Sequence, residues 1–244
     1  MTNLVTKNQI KFVQSLHRKK YRQKYSQFIV EGVKSVDELI HSAYKIDTIY
    51  ALPDWINEHN TNTNALNVVQ ASKTDLERMS YFKTASPVIA VANNHSVDSI
   101  SDSAWVLCLD DIKDPGNLGT IIRIADWYGI TSIYASLETV DLYNPKTIAS
   151  TMGSFTRVHV TYANLLEICE SSKKQVFFTQ MAGESIYTLP KHKEGIIVVG
   201  NEANGISDAL LSTKHIDITI PKTGGAESLN AGVATAIVCD RLLR

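Results

Sequence analysis

Three short polar segments carry the residue types that could do chemistry in this chain. The first, Asp114-Pro-Gly-Asn-Leu-Gly119, is followed by Arg123. Pro115 and Gly116 suit a turn, and Asn117 is a candidate helix N-cap whose side chain could also reach a ligand. An Arg one turn inside a helix that begins at a ligand edge can reach back to a phosphate or a hydroxyl; the plain alternative is a surface Arg on a capped helix. The second segment, Gly200-Asn-Glu-Ala-Asn-Gly205, sets Asn201, Glu202 and Asn204 between glycines that let a backbone approach a ligand closely. Its spacing is neither GxGxxG nor that of a Walker loop, so it does not read as a nucleotide phosphate cradle. Glu202 needs a partner there, and Arg123 is one candidate. The third runs from Ile220 to Asn230, with Ser228 and Asn230 as good caps for a following helix. Its paired glycines make it longer and more polar than a connector requires. Each segment alone also reads as an ordinary cap or tight turn.

The elements that must position these loops follow from apolar periodicity. From Trp105 onward, apolar runs recur at 105–109, 132–135, 158–160, 176–179, 196–199 and 216–220, separated by helical stretches that include 118–128 and 231–243. Nearly continuous apolar strands alternating with helices predict a parallel sheet covered on both faces. Ligands bind such sheets beyond the carboxyl ends of the strands, where all three polar segments fall. That convergence is stronger evidence for a site than any one loop. Leu118, Ile121, Ile122 and Ala125 share one helical face, and Arg123 lies away from it. Ahead of this half, residues 1–92 alternate helices and strands: helix 7–25, strand 28–30, helix 33–43, strand 46–52, a helix near 73–80, and short strands at 67–69 and 87–92. Residues 93–104, rich in Ser, Asp and Asn, read as a linker. The expected organisation is therefore α/β in two domains, 1–92 and 105–244.

Composition narrows the class of protein. The chain has 244 residues, 44% hydrophobic and 20% charged, enough apolar material for packed cores. It has no apolar run long enough to span a membrane and no signal-peptide pattern in its first twenty residues. Cys108, Cys169 and Cys239 are far apart and form no CxxC, which fits reduced thiols in the cytoplasm better than a disulfide framework or a metal site. The formal charge of -1 hides an uneven distribution. Lys7, Lys11, Arg18, Lys19, Lys20, Arg22 and Lys24 lie in one stretch without an acidic residue, leaving 17 basic against 25 acidic residues elsewhere. Phe12, Tyr21, Tyr25 and Phe28 interleave with these charges. Cations beside aromatics are what an RNA-contacting surface needs; a helix with a solvated basic face is the alternative.

Taken together, the three segments resemble the motifs of the SpoU (TrmH-type) branch of the SPOUT RNA methyltransferases. Asp114–Gly119 with Arg123 is similar to that family's first motif and Gly200–Ser207 to its second. Ile220-Pro221, Ser228-Leu-Asn230 and Val233-Ala234 are similar to its third, and Thr151-Met-Gly-Ser154 falls where the family has a small-residue turn. Residues 104–244 carry the resemblance. The basic opening, ending in Phe28-Ile-Val-Glu-Gly32, is similar to the small α/β RNA-binding domain often placed before this catalytic domain.

The resemblance implies a SPOUT domain with a deep C-terminal trefoil knot, a device nearly absent from other folds. It implies S-adenosylmethionine as cofactor, held largely by main chain at Gly200, Ile220 and Leu229, and a homodimer that completes the site. Asn117, Arg123, Glu202, Ser228 and Asn230 would form the polar catalytic and support set for methylation of a ribose 2′-hydroxyl. By analogy with ribosomal RNA modifiers, the N-terminal domain favours ribosomal over transfer RNA. Other readings are a catalytically silent RNA-binding dimer and a small-molecule enzyme. The chain departs from the family at Lys222, where Met is common, at Gly232, where Ser is usual, and in the bulkier Thr151–Ser154 turn.

Overall fold

The computed structural model describes residues 4–59, 66–94 and 103–244, which fall into two compact units. Most of the expected 93–104 linker lies outside the described residues. The first unit comprises residues 1–96 together with 141–156, the second 97–140 together with 157–244.

The first unit is built on a four-stranded mixed sheet ordered β1-β4-β2-β3, with β1 at Gln27–Glu31, β2 at Ile46–Ala51, β3 at Val68–Gln70 and β4 at Val88–Asn93. β4 is antiparallel to both β1 and β2, while β2 and β3 run parallel. Ile29, Ile89 and Val91 pack with Ile10 and Val13 of the first helix, with Leu16 at its C-cap, and with Leu76 and Met79 of helix Lys73–Met79. That first helix opens with a capping box, Thr6 receiving the Gln9 amide while Gln9 reaches back to the Thr6 amide.

One helix is expected over 7–25, but two are present, α1 at Lys7–Ser15 and α2 at Lys19–Tyr25. The break has a specific cause. The Arg22 guanidinium turns inward, donating to the carbonyls of Leu16 and His17 at 2.9 Å each and to Asp141 Oδ2 at 2.7 and 3.0 Å. It thereby takes carbonyls that a continuous helix would have bonded internally. At 3% exposure Arg22 is a structural residue, which corrects its assignment to the RNA-contacting set. Lys7, Lys11, Arg18, Lys19, Lys20 and Lys24 are exposed.

The same contacts redraw the domain boundary. Residues 141–156, expected in the second domain, pack on the first sheet. Tyr143 lies 4.4 Å from the Phe28 ring, and Phe155 packs edge-on against Phe28 and Tyr44. Burial of Tyr44 against these rings pushes its hydroxyl pKa well up. Thr151-Met-Gly-Ser154 lies in this segment, where Met152 and Gly153 both take left-handed backbone. A side-chain carbon at Gly153 would sit 2.5 Å from Glu38 Cγ, so the turn approaches the helix Val33–Ile40 more closely than any other residue allows.

The second unit is a six-stranded all-parallel sheet ordered β10-β8-β9-β5-β6-β7. Its strands are β5 at Trp105–Leu109, β6 at Ser132–Ala135, β7 at His159–Tyr162, β8 at Val176–Ser185, β9 at Gly195–Val199 and β10 at Ile216–Thr219. Every residue of β5 and β9 is buried, as expected for a sheet covered on both faces. β8 runs past its expected end at 179 because it pairs with β10 twice, at Phe177–Phe178 and again at Glu184–Ser185. No helix among the described residues is long and apolar enough to cross a membrane.

Removing one partner from a buried, hydrogen-bonded ion pair costs about 3 kcal/mol or more. Arg22→Ala is expected to lower the unfolding free energy of the first unit by that amount in urea titrations followed by tyrosine fluorescence. Arg22→Lys, with one point charge in place of a fork, should recover little of it.

Candidate functional site

All six strands of the second sheet point the same way, so the carboxyl ends of β5, β9 and β10 share one edge. Strand order reverses at the β5–β9 pair, since β6 and β7 extend the sheet to one side and β8 and β10 to the other. That switch point is where an open α/β sheet offers a crevice.

The loop after β5 is held by acidic residues that the motif reading passed over. Asp110, buried, accepts the Ser207 amide at 2.7 Å. Asp111 adopts a φ of 59°, which Asp tolerates better than most residues, and its amide is held by Ser136 Oγ at 2.9 Å. Their signal was present as an Asp-Asp pair directly after an apolar strand. The helix then begins at Pro115, with Asp114 rather than Asn117 as N-cap: Asp114 Oδ1 accepts the Asn117 amide at 3.0 Å. Asn117 is thus inside the first turn with its own side chain released for other partners.

Those partners join the three loops. Asn117 Nδ2 donates to Glu202 Oε1 at 2.5 Å, and Asn230 Nδ2 donates to Asn117 Oδ1 at 2.8 Å. Asn230 also caps the helix Ala231–Leu243, its Oδ1 accepting the amides of Gly232 at 3.0 Å and Val233 at 3.3 Å. The candidate partner for Glu202 was Arg123; the structure supplies Asn117 instead. Asn201 ties the second loop to the first by donating to the Asp111 carbonyl at 2.8 Å, while its Oδ1 takes the amides of Ala203 and Asn204.

Arg123 is exposed and makes no hydrogen bond or ion pair with any described residue. Ser228 is likewise exposed with a free hydroxyl, as is the entire segment 221–230. Lys222 folds back within this loop to the Ala226 carbonyl at 3.2 Å. At Gly232, a side-chain carbon would meet Thr120 Cγ2 at 2.9 Å, so Thr120 fills the space a Ser would take. The main-chain groups of Gly200, Ile220 and Leu229 have no hydrogen-bond partner among the described residues, leaving donors and acceptors open at the three positions expected to hold a ligand by main chain. The described residues contain no cluster of His, Cys, Asp or Glu suited to a metal. A surface hollow of about 550 Å³ lies elsewhere, between Tyr187, Lys191, Ile237, Asp240 and Arg241.

A parallel sheet with polar, side-chain-linked loops at its switch point, joined in one chain to a small mixed-sheet unit, defines a two-part α/β protein with a ligand edge on the second part. Comparison with known proteins identifies the family. Residues 104–240 match the SpoU rRNA Methylase family and residues 7–90 the MRM3-like substrate binding domain. The chain belongs to the SpoU rRNA methylase family. The 23S rRNA (guanosine(2553)-2′-O)-methyltransferase RlmP of Bacillus subtilis is 30% identical over 241 residues, covering 97% of this chain and 96% of that protein. A solved structure of a TrmH-family protein from Porphyromonas gingivalis superposes with a TM-score of 0.87 at 32% identity, covering 98% of each chain. An AdoMet-bound rRNA methyltransferase from Sinorhizobium meliloti superposes at 0.85 with 27% identity, over 99% of this chain and 95% of that one. The family's trefoil knot is implied by this membership.

Gly200 gives a direct check on the site's scaffold. A side-chain carbon there would lie 2.4 Å from the Gly205 carbonyl carbon, backbone that the Asn201–Gly205 bridge fixes. Gly200→Ala is expected to lower stability by about 1–3 kcal/mol, read as a shifted urea midpoint, because backbone must move to admit the methyl group.

Proposed function

We propose that this chain transfers a methyl group from S-adenosylmethionine to a ribose 2′-hydroxyl of ribosomal RNA. The observation that carries the reading is the Asn230–Asn117–Glu202 chain at the switch point, with a partner-free Arg123 on the same helix as Asn117. Family membership and the activity named for the Bacillus subtilis relative support it.

The open main-chain groups at Gly200, Ile220 and Leu229 suit a ligand with an amino acid end and a purine, which backbone donors and acceptors can both address. When bound, the cofactor supplies a sulfonium methyl group already activated for attack by an oxygen nucleophile. The protein's task is alignment and charge management. Arg123 is available for it because no described residue occupies its guanidinium. An Arg remains protonated under nearly all conditions, so Arg123 orients the ribose and stabilises negative charge developing on its oxygen, while the hydroxyl proton leaves to an RNA phosphate or to water. Glu202 holds the Asn117 amide in place, and Ser228 offers a free hydroxyl on the third loop.

The first unit grips the RNA. In α2, Tyr21 and Tyr25 stack at 6.3 Å, with Lys20 and Lys24 over their rings at 4.9 and 5.2 Å. The second unit pairs with a second copy. Trp127, 77% exposed, and Val233, 50% exposed, lie on the helices Pro115–Trp127 and Ala231–Leu243, and apolar side chains left in water on packed helices suit an interface. The three cysteines are unpaired and buried, in keeping with a reducing cytoplasm.

Mapping 2′-O-methyl groups in total RNA from cells with and without this gene tests the assignment: one ribosomal RNA position should lose its methyl group. A change only in transfer RNA would move the substrate, and no change would sink the activity. In single turnover, Arg123→Ala should cut the methyl-transfer rate by about a hundredfold or more with cofactor affinity and urea midpoint unchanged, because the side chain supports no fold contact. Arg123→Lys at full rate would remove Arg123 from the chemistry.

A further inference from the structure

Glu31 ends β1 with its side chain buried, the residue being only 9% exposed, and no Lys or Arg pairs with it among the described residues. A carboxylate withdrawn from water is costly unless its oxygens are satisfied. Here one short loop satisfies it. Ser80 Oγ donates to Oε1 at 2.6 Å, the Ser86 amide to Oε1 at 3.2 Å and the Tyr81 amide to Oε2 at 3.2 Å. The two ends of the loop 80–86 are thus pinned to one carboxylate, at the edge where β1 finishes and β4 begins.

What the clamp holds out is unusual for a structural turn. Tyr81 is 42% exposed and Phe82 36% exposed, with ring centroids 5.3 Å apart and edge-on. The His17 ring packs edge-on against Tyr81 at 5.4 Å, its Nε2 at 2.9 Å from the Met79 carbonyl. Burial lowers the His17 pKa, so at neutral pH it extends the aromatic surface rather than adding charge. Lys83 on the loop and Lys34 just after the Gly32 turn are exposed. Burying two aromatic rings would stabilise the unit; fixing them at its surface serves a ligand.

We propose that the loop 80–86 is a stacking platform for unpaired RNA nucleotides and that Glu31 is its positioning residue. The partner's chemistry follows from the side chains. Exposed lysines attract phosphates, and exposed aromatic faces take bases that are free to stack, which a closed duplex does not present. The inference rests on the proposed RNA substrate and adds a second contact to the basic helix α2, which the sequence pattern had singled out. It also gives Glu31, in the Phe-Ile-Val-Glu-Gly segment, a reason to be acidic amid a basic arm.

The test uses the full chain and two fluorescein-labelled probes, an oligouridylate of about twelve nucleotides and an RNA duplex of similar length, read by anisotropy. Tyr81→Ala/Phe82→Ala should weaken oligouridylate binding by about tenfold and duplex binding by less than about twofold. Tyr81→Phe, which keeps the ring, should keep the affinity. Glu31→Gln should weaken the oligouridylate in the same selective way, and should raise KM for the RNA substrate without lowering kcat. S-adenosylmethionine affinity should stay constant throughout, showing that the second unit remains folded. Unchanged oligouridylate binding in the double variant, or equal loss for both probes, would overturn the platform. So would a change in sedimentation without a change in RNA affinity, which would give the surface to a second copy. If the native chain binds neither probe and methylates no RNA, the proposed function falls along with the platform; if it binds and methylates while the variants match it, the platform alone falls.

Discussion

The site depends on the side-chain amide of Asn117, which among the described residues is bonded to both other motif loops. An amide both donates and accepts, and here its neighbours fix which end does which. The Asn230 oxygen is committed to the amides that open the last helix, so only the Asn230 nitrogen is free to face Asn117. That directs the Asn117 oxygen toward Asn230 and its nitrogen toward the Glu202 carboxylate, which can only accept when ionised. A run of aligned hydrogen bonds therefore passes from a helix terminus to a carboxylate, with one consistent direction. Aspartate at 117 would have nothing to donate, and a hydrophobic residue would remove the side-chain bonds from the first loop to Glu202 and to Asn230.

The two arginines of interest show how the same side chain is put to opposite uses. Arg22 meets two carbonyls and a carboxylate in a buried pocket, and its fork sets the geometry of a helix break. Arg123 bonds no described residue and is exposed on a helix whose Leu118, Ile121, Ile122 and Ala125 are buried. A structural arginine is fully paired by its own chain, whereas one awaiting a ligand is left unpaired by it. The loop 221–230 follows the same logic at larger scale, since ten consecutive exposed residues between a strand and a helix have little to gain from folding by themselves.

Much of this was legible in the sequence. Strands buried on both faces announce themselves as apolar runs, and polar segments following them mark the edge of a parallel sheet. Hence β5, β9, the last helix and all three loops were readable from local pattern. What could not be read was set by partners distant along the chain. Asn117 looked like a cap because Asn is a good cap, but Asp114 stands three residues earlier and takes that role. Arg22 sat in a basic run and looked like one more solvated cation; Asp141, which buries it, is 119 positions away. The segment 141–156 lies among the second unit's strands in sequence and gave no sign that Tyr143 and Phe155 complete the other core.

That last feature bears on how the molecule is made. The first unit is not contiguous: its core includes Phe155, and its buried arginine is neutralised by Asp141. As the chain leaves the ribosome, β1 through β4 emerge well before these residues, and for that interval Phe28 and Tyr44 lack their covering rings and Arg22 its counter-ion. The N-terminal unit can close only after the first strands of the next unit have been synthesised. Biosynthesis of the two halves is therefore interleaved, and a protease or chaperone meeting the nascent chain would encounter an unfinished first unit where a simple two-domain protein would present a finished one.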